Sequence, residues 1–122
     1  MKKSAHYDFP VVRVGGFPTA SVTRKELADI MVQDCLLARE VGETWTPKVV
    51  FSSNGQGIAL AGQDPKFAEA MSKADIIHAD GMPVVFASRA TSHPLPERIA
   101  TTDFFHDAAR AADENGLRFY IL

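Results

Sequence analysis

The feature that most constrains this chain lies between Lys48 and its last residue. Three short apolar runs, KVVFSS (48–53), DIIHA (75–79) and LRFYIL (117–122), are separated by two stretches of helical character. None of the three alternates apolar with polar residues, so each reads as a strand buried on both faces. Strand, helix, strand, helix, strand is the order produced by helical crossovers between parallel neighbours. The expected fold class is therefore α/β, a Rossmann-like parallel sheet with flanking helices. Ahead of it, VVRVGGFPTASV (11–22) reads as two extended pieces about a Gly-Gly-Phe-Pro turn, a short N-terminal hairpin. A parallel strand normally leads into a crossover, and LRFYIL stops at Leu122. The expectation is a single domain over 1–122, incomplete in itself, forming the N-terminal part of a longer protein with a boundary after 122.

Local signals place the helices. Thr23 stands three residues before Glu26, the capping-box spacing, and Leu27, Ile30, Met31, Cys35, Ala38 and Val41 follow at helical intervals up to Gly42. GIALAG (57–62) reads as a helical turn, and Asp64-Pro65 as a cap and first residue launching KFAEAMSKA. Pro83 starts a helix through VVFASRA, with the cap nearer Met82 than Asp80. TSHPLPER is a proline-stiffened loop, after which Thr101 or Thr102 caps DFFHDAARAADEN up to Gly116.

Composition narrows the function classes. At 122 residues the chain buries about two-thirds of its extended surface. Apolar residues at 46% and charged residues at 23% fit a folded domain rather than a disordered one. A net charge of −2 gives no sign of a nucleic-acid-binding surface or a broad basic membrane patch. Cys35 is the only cysteine, which excludes an internal disulfide and suits a cytoplasmic setting; its helical position reads as a buried, inert thiol. MKKSAHYDFP has no apolar stretch behind its lysines and is not a signal peptide, and no run approaches the ~20 apolar residues of a spanning helix.

Two of the expected strands end in polar clusters, Ser52-Ser53-Asn54-Gly55 and Asp80-Gly81. In an open parallel sheet ligands bind outside the carboxyl ends of the strands, so both clusters fall on one rim. Two readings of each stay open. Asn-Gly and Asp-Gly are common turn dipeptides. Yet an acid that is not needed as a helix cap, beside a helix N-terminus, is free to hold a ligand hydroxyl or accept a proton. Arg98, beyond the PLPER loop, suits bidentate binding of phosphate or carboxylate, or equally an ion pair with Glu97 or Asp103. Asp103 has a competing role as first-turn partner of a helix dipole.

Other chemistries lack their residues. His6, His78, His93 and His106 are scattered without zinc-ligand spacing. NGQGIALAG is glycine-rich but follows neither the phosphate-loop nor the dinucleotide fingerprint, and no Gly-x-Ser-x-Gly elbow occurs. There is also no Asp-x-Asp pair of the kind that holds a divalent metal on a sugar-nucleotide diphosphate.

The stretch from Ser52 to Asp103 nevertheless carries a set of elements in fixed order. These are a hydroxyl residue, one residue and Asn; then Asp-Pro-x-Phe; then Ala-Asp, a short apolar stretch and Asp-Gly; then Pro-x-Pro-Glu-Arg and Thr-Asp. In this it resembles the WecG/TagA/CpsF glycosyltransferases, family 26, over about Val11 to Leu122. The resemblance implies transfer of a hexose-type sugar, N-acetylmannosamine, its uronic acid or a relative, from a UDP donor. The acceptor it implies is a polyprenyl-diphosphate-linked sugar, in the synthesis of cell-surface polysaccharide or teichoic acid. It implies an inverting reaction with no metal and no cofactor, cytoplasmic and peripheral at the inner face of the bacterial plasma membrane, with membrane contact through a C-terminal part. Asp80 matches the proposed catalytic base. Ser52 stands where the family usually has Thr, and Asn54 matches its Asn. Gly81 follows Asp80 in the substrate site, Arg98 matches the Arg after Pro-Glu, and Thr102 and Asp103 match its Thr-Asp. Thr101 replaces the Gly before that pair.

The alternative reading is a non-catalytic Rossmann-like binding or interaction module in which Asn54 and Asp80 only shape turns. No nucleic-acid partner is expected under either reading. Uncovered helix faces and an exposed last strand give reason to expect self-association, a homo-oligomer included.

Overall fold

The computed structural model describes residues 9–122; His6 and the lysines of the N-terminal segment lie outside the described residues. Strands β1 (Val11–Val14) and β2 (Phe17–Ala20) pair antiparallel, Val14 opposite Phe17. The two-residue turn between them needs positive φ at both positions, supplied by Gly15 (φ 60°) and Gly16 (φ 86°). Gly15 is required twice over, because a Cβ there would lie 2.5 Å from Ile58. Helix α1 (Arg24–Val41) follows with the expected capping box. Thr23 Oγ1 accepts from the Glu26 N–H, and a Glu26 carboxylate oxygen accepts from the Thr23 N–H, each at 3.1 Å. It ends at Gly42, whose φ of 77° a side chain would oppose.

Strand β3 (Val50–Ser53) leads into α2 (Gly55–Gln63) and α3 (Pro65–Ser72), then β4 (Ile76–Ala79), α4 (Met82–Ser88) and α5 (Thr101–Glu114). β3 and β4 pair in parallel, with Ser52 opposite His78 and Ser53 opposite Ala79. β2 packs alongside β4, so the hairpin covers the flank of the sheet away from β3. The α/β expectation, with its parallel sheet and N-terminal hairpin, holds.

Side-chain alternation gives each face of the β3/β4 pair its own cover. Phe51 and Ile77 pack with Ile58 and Ala61 of α2 and with Phe67 and Met71 of α3. Ile76, on the other face, packs with Leu27 and Ile30 of α1, with Ile99 of the segment before α5 and with Phe104 of α5. Ala79 meets Val84 and Val85 of α4 with Val12 and Val14 of β1. The largest fully buried apolar side chains, Leu27, Ile99 and Val84, are at most 2% exposed and anchor these layers.

Three local expectations need correction. GIALAG is no single turn but most of a nine-residue helix, because Asn54 provides a cap that starts it at Gly55. Neither Thr101 nor Thr102 caps α5; the cap position is Ala100, whose methyl group cannot accept a hydrogen bond, and Thr101 is already helical. LRFYIL forms no strand. After Gly116 (φ 63°) residues 117–122 run without regular structure, with Phe119, Tyr120, Ile121 and Leu122 exposed. A strand needs a ladder partner for its N–H and C=O groups, and among the described residues none pairs with this segment.

Candidate active site

The carboxyl ends of β3 and β4 form the rim at which the sequence concentrates its polar residues. Asp80 follows the last residue of β4, and its backbone N–H donates to the Ser53 carbonyl at 2.8 Å, extending the parallel ladder by one bond. This fixes Asp80 beside the end of β3. Gly81 then lies directly against Asn54: a Cβ on Gly81 would stand 3.6 Å from the Asn54 Cβ. Asn54 at the end of β3 therefore meets Asp80 and Gly81, which lie 26 and 27 positions later in the chain at the end of β4.

Asn54 has a structural duty that uses only part of its side chain. Its Oδ1 accepts from the Gly57 N–H at 2.8 Å and caps α2. The two amide protons on Nδ2 have no partner among the described residues and remain available to a ligand. Asp80 is divided in the same way. Oδ2 accepts from the Thr101 hydroxyl at 3.2 Å and from the Thr101 N–H at 3.4 Å. It thus supplies, from across the fold, the acceptor that α5 lacks at its own cap position. Oδ1 has no partner among the described residues. Asp80 does not cap α4, whose cap position is Gly81, in keeping with the free acid expected from the placing of Pro83.

Ser52 is half-buried on β3, in register with His78 and on the face that looks towards α1 and α5. Next to it, Ser53 is fully buried on the other face, and its Oγ has no hydrogen-bond partner among the described residues. Arg98 is exposed and makes no ion pair with a described residue. Both of its expected partners are engaged elsewhere: a Glu97 carboxylate oxygen accepts from the Arg24 N–H at 2.5 Å, and Asp103 pairs with the Arg24 guanidinium at 3.6 Å. Arg98 is kept near the rim by its neighbour Ile99, whose N–H donates to the Ala79 carbonyl at 2.6 Å. Thr102 is exposed in the first turn of α5. Asp103, in the same turn, is drawn towards α1 by its Arg24 contact. The structure thus brings together Asn54, Asp80 and Gly81 and adds Thr101. It leaves Arg98 and Thr102 at the margin and turns Asp103 aside.

Two residues near the rim were given no such role by sequence reading. Thr101 stands in the sequence as a possible helix cap and as a departure from a motif, and its bond to Asp80 spans 21 positions. His78 was weighed only as a metal ligand. It is buried, its Nδ1 lies 3.1 Å from the Ile99 carbonyl, and its ring tilts against Phe104 at 6.3 Å between centroids. Burial holds its pKa below the usual value, opposed by the Ile99 carbonyl and the Asp80 carboxylate. The signal that could have found it is an imidazole in an otherwise apolar, fully buried strand. Cys35, half-buried in α1, has its thiol pKa raised by burial and by neighbouring Asp34, which suits an unreactive thiol.

A cavity of about 720 Å³ opens by the amino end of β4, lined in part by Arg13, Phe17, Lys73, Asp75 and Ile77. It contains none of the rim residues, and strand topology favours the carboxyl end for ligand binding. Among the described residues no helix is long and apolar enough to cross a membrane.

No curated protein matches the chain significantly. The family described as Glycosyl transferase WecG/TagA/CpsF family matches residues 12–122, which take in the hairpin from its second residue, the parallel sheet and the five described α-helices. The chain belongs to the WecG/TagA/CpsF family of glycosyl transferases, which places it in cell-surface polysaccharide synthesis.

Proposed function

We propose that the rim of Ser52, Asn54, Asp80 and Gly81 is the transfer site of an inverting, metal-independent hexosyltransferase. The donor is a UDP-linked sugar such as N-acetylmannosamine or its uronic acid, and the acceptor a polyprenyl-diphosphate-linked sugar. One observation carries this reading: Asp80 and Asn54 converge at the carboxyl edge of a parallel strand pair, each with polar valences left over. With Oδ2 held by Thr101, Oδ1 of Asp80 is the oxygen that accepts the proton of the acceptor hydroxyl. The hydroxyl oxygen attacks the anomeric carbon from the face opposite the nucleotide. The anomeric C–O bond to phosphate breaks, its electron pair leaves on UDP, and the configuration inverts. Arg98, cationic and without an ion-pair partner among the described residues, suits the growing diphosphate charge. Asn54 Nδ2, the Ser52 hydroxyl and Thr102 suit hydroxyls of the sugars, while Asp103 is held towards α1 by Arg24. The absence of an Asp-x-Asp pair from the sequence supports chemistry without a metal. In this reading the chain is the N-terminal part of the enzyme, and segments following it complete the nucleotide pocket and touch the inner face of the plasma membrane.

A second reading is favoured by the cap bonds themselves. Asn54 caps α2 and Asp80 caps α5, which is all a non-catalytic module would ask of them. Asp80→Asn separates the two, because the amide still accepts from Thr101 but takes no proton. In the intact enzyme, turnover from a UDP-sugar to a soluble polyprenyl-diphosphate analogue should fall about 10²–10⁴-fold. Donor binding, measured separately, should barely change, since the base acts on the acceptor in the transition state. Near-normal turnover would return Asp80 to a purely structural role.

A further inference from the structure

The segment entering α5 is fastened to β4 by two hydrogen bonds made by one residue. The Ile99 N–H donates to the Ala79 carbonyl at 2.6 Å, and the Ile99 carbonyl lies 3.1 Å from His78 Nδ1. A carbonyl can only accept, so Nδ1 carries the proton in this contact. His78 and Ile99 are 4% and 1% exposed, so neither reaches solvent. The chain on both sides of Ile99 does reach it. Arg98 precedes it on the surface, and Thr101, two residues later, donates to Asp80 Oδ2 through both its N–H and its hydroxyl.

An aliphatic side chain at this strand position would bury against Phe104 without desolvating a polar ring. The depressed pKa of His78 reflects that desolvation. What the imidazole adds is one donor, aimed at the carbonyl that sits between Arg98 and Thr101. We propose that His78 is a positioning residue for sugar transfer: by holding the Ile99 carbonyl it sets the placement of Arg98 and Thr101, and through Thr101 that of the Asp80 carboxylate. The proposal rests on the reading of Asp80 as the base.

Two variants of the intact protein test it. His78→Leu fills the space but offers no donor; His78→Asn carries an amide N–H where Nδ1 stands. Loss of the donor lets the rim groups shift by a fraction of an ångström or more, so His78→Leu should lower kcat roughly 10–100-fold, with a smaller change in donor KM. His78→Asn should recover to within a few-fold of the native enzyme. An activity-independent readout accompanies this. Amide hydrogen exchange at Ile99, Ala100 and Thr101 should quicken in His78→Leu and return in His78→Asn, while β4 amides stay protected. Native kcat in His78→Leu, or unchanged exchange at 99–101, overturns the proposal. So does quickened exchange without loss of kcat, because the clamp would then be structural only. An Asp80→Asn enzyme with normal turnover sinks the base assignment instead, and the exchange measurement reads the clamp without reference to it.

Discussion

Asn54 and Asp80 each spend one polar group on the fold and keep another. Asn54 gives up Oδ1 and retains Nδ2; Asp80 gives up Oδ2 and retains Oδ1. This is why turn chemistry and substrate chemistry are compatible at these positions rather than alternatives. The titration that affects stability belongs to His78. Burial lowers its pKa from 6.5, more than the Ile99 carbonyl and Asp80 raise it, so the folded state binds a proton less readily than the unfolded chain. Above 6.5 both states hold a neutral ring and the contribution is fully present. As pH falls from there through the lower folded value, the unfolded chain protonates first and stability drops. Urea midpoints followed from about pH 7 to pH 5 should fall for the native chain and fall less for His78→Asn, which has nothing to titrate there. Parallel profiles for the two would remove His78 as the cause.

Among the elements, α1 carries its own start signal and also borrows one. Thr23 and Glu26 satisfy each other's backbone N–H groups, and Glu97, 73 residues away, accepts from the Arg24 N–H. Arg24 in turn binds α5, with its Nε 2.8 Å from Asp107 and its guanidinium 3.6 Å from Asp103. The start of α1 is thus the point where α1, the PLPER loop and α5 are joined. Thr23→Ala should cost about 1 kcal/mol, the usual worth of an N-cap, seen as a lower urea midpoint with an unchanged slope. A cost near zero would mean that Glu97 holds the helix start by itself. By contrast α5 has no local cap, and its first N–H is met by Asp80; here the cap of a helix and the candidate base are one residue.

For the whole molecule, the helices that join β3 to β4 and the last helix after β4 use opposite faces of the sheet. α2 and α3 lie on the Phe51/Ile77 face, while α5 lies on the Ile76/His78 face beside α1. With right-handed crossovers, a change of face reverses the direction of travel across the sheet. A strand following α5 would therefore return past β4 to the free edge of β3, where Val49 and Val50 are exposed. That edge is unpaired among the described strands, and Phe119, Tyr120 and Ile121 stand in solvent, with Phe119 against Phe105 at 5.8 Å. An open edge and an apolar segment without a partner favour association between copies. Sedimentation velocity on this chain should show concentration-dependent self-association, weakened by Tyr120→Lys with Ile121→Lys. A chain that stays monomeric at high concentration would refute this.

What the sequence determined by itself was whatever short-range chemistry controls. The capping box at Thr23, the Asp64-Pro65 start, the glycine turn at 15–16 and the buried pattern of DIIHA all act within a few residues, and each formed where its residues stand. The meeting of the two polar clusters was legible too, because parallel strands necessarily present their carboxyl ends together. Tertiary structure decided the rest. No local pattern marks Thr101 as the donor to Asp80, Glu97 as a cap for α1, or His78 as the clamp on Ile99, since each pairing closes a loop of more than 20 residues. LRFYIL has the composition of a strand, but a strand is completed by the backbone beside it; with no strand paired to it among the described residues, Phe119 to Leu122 remain exposed.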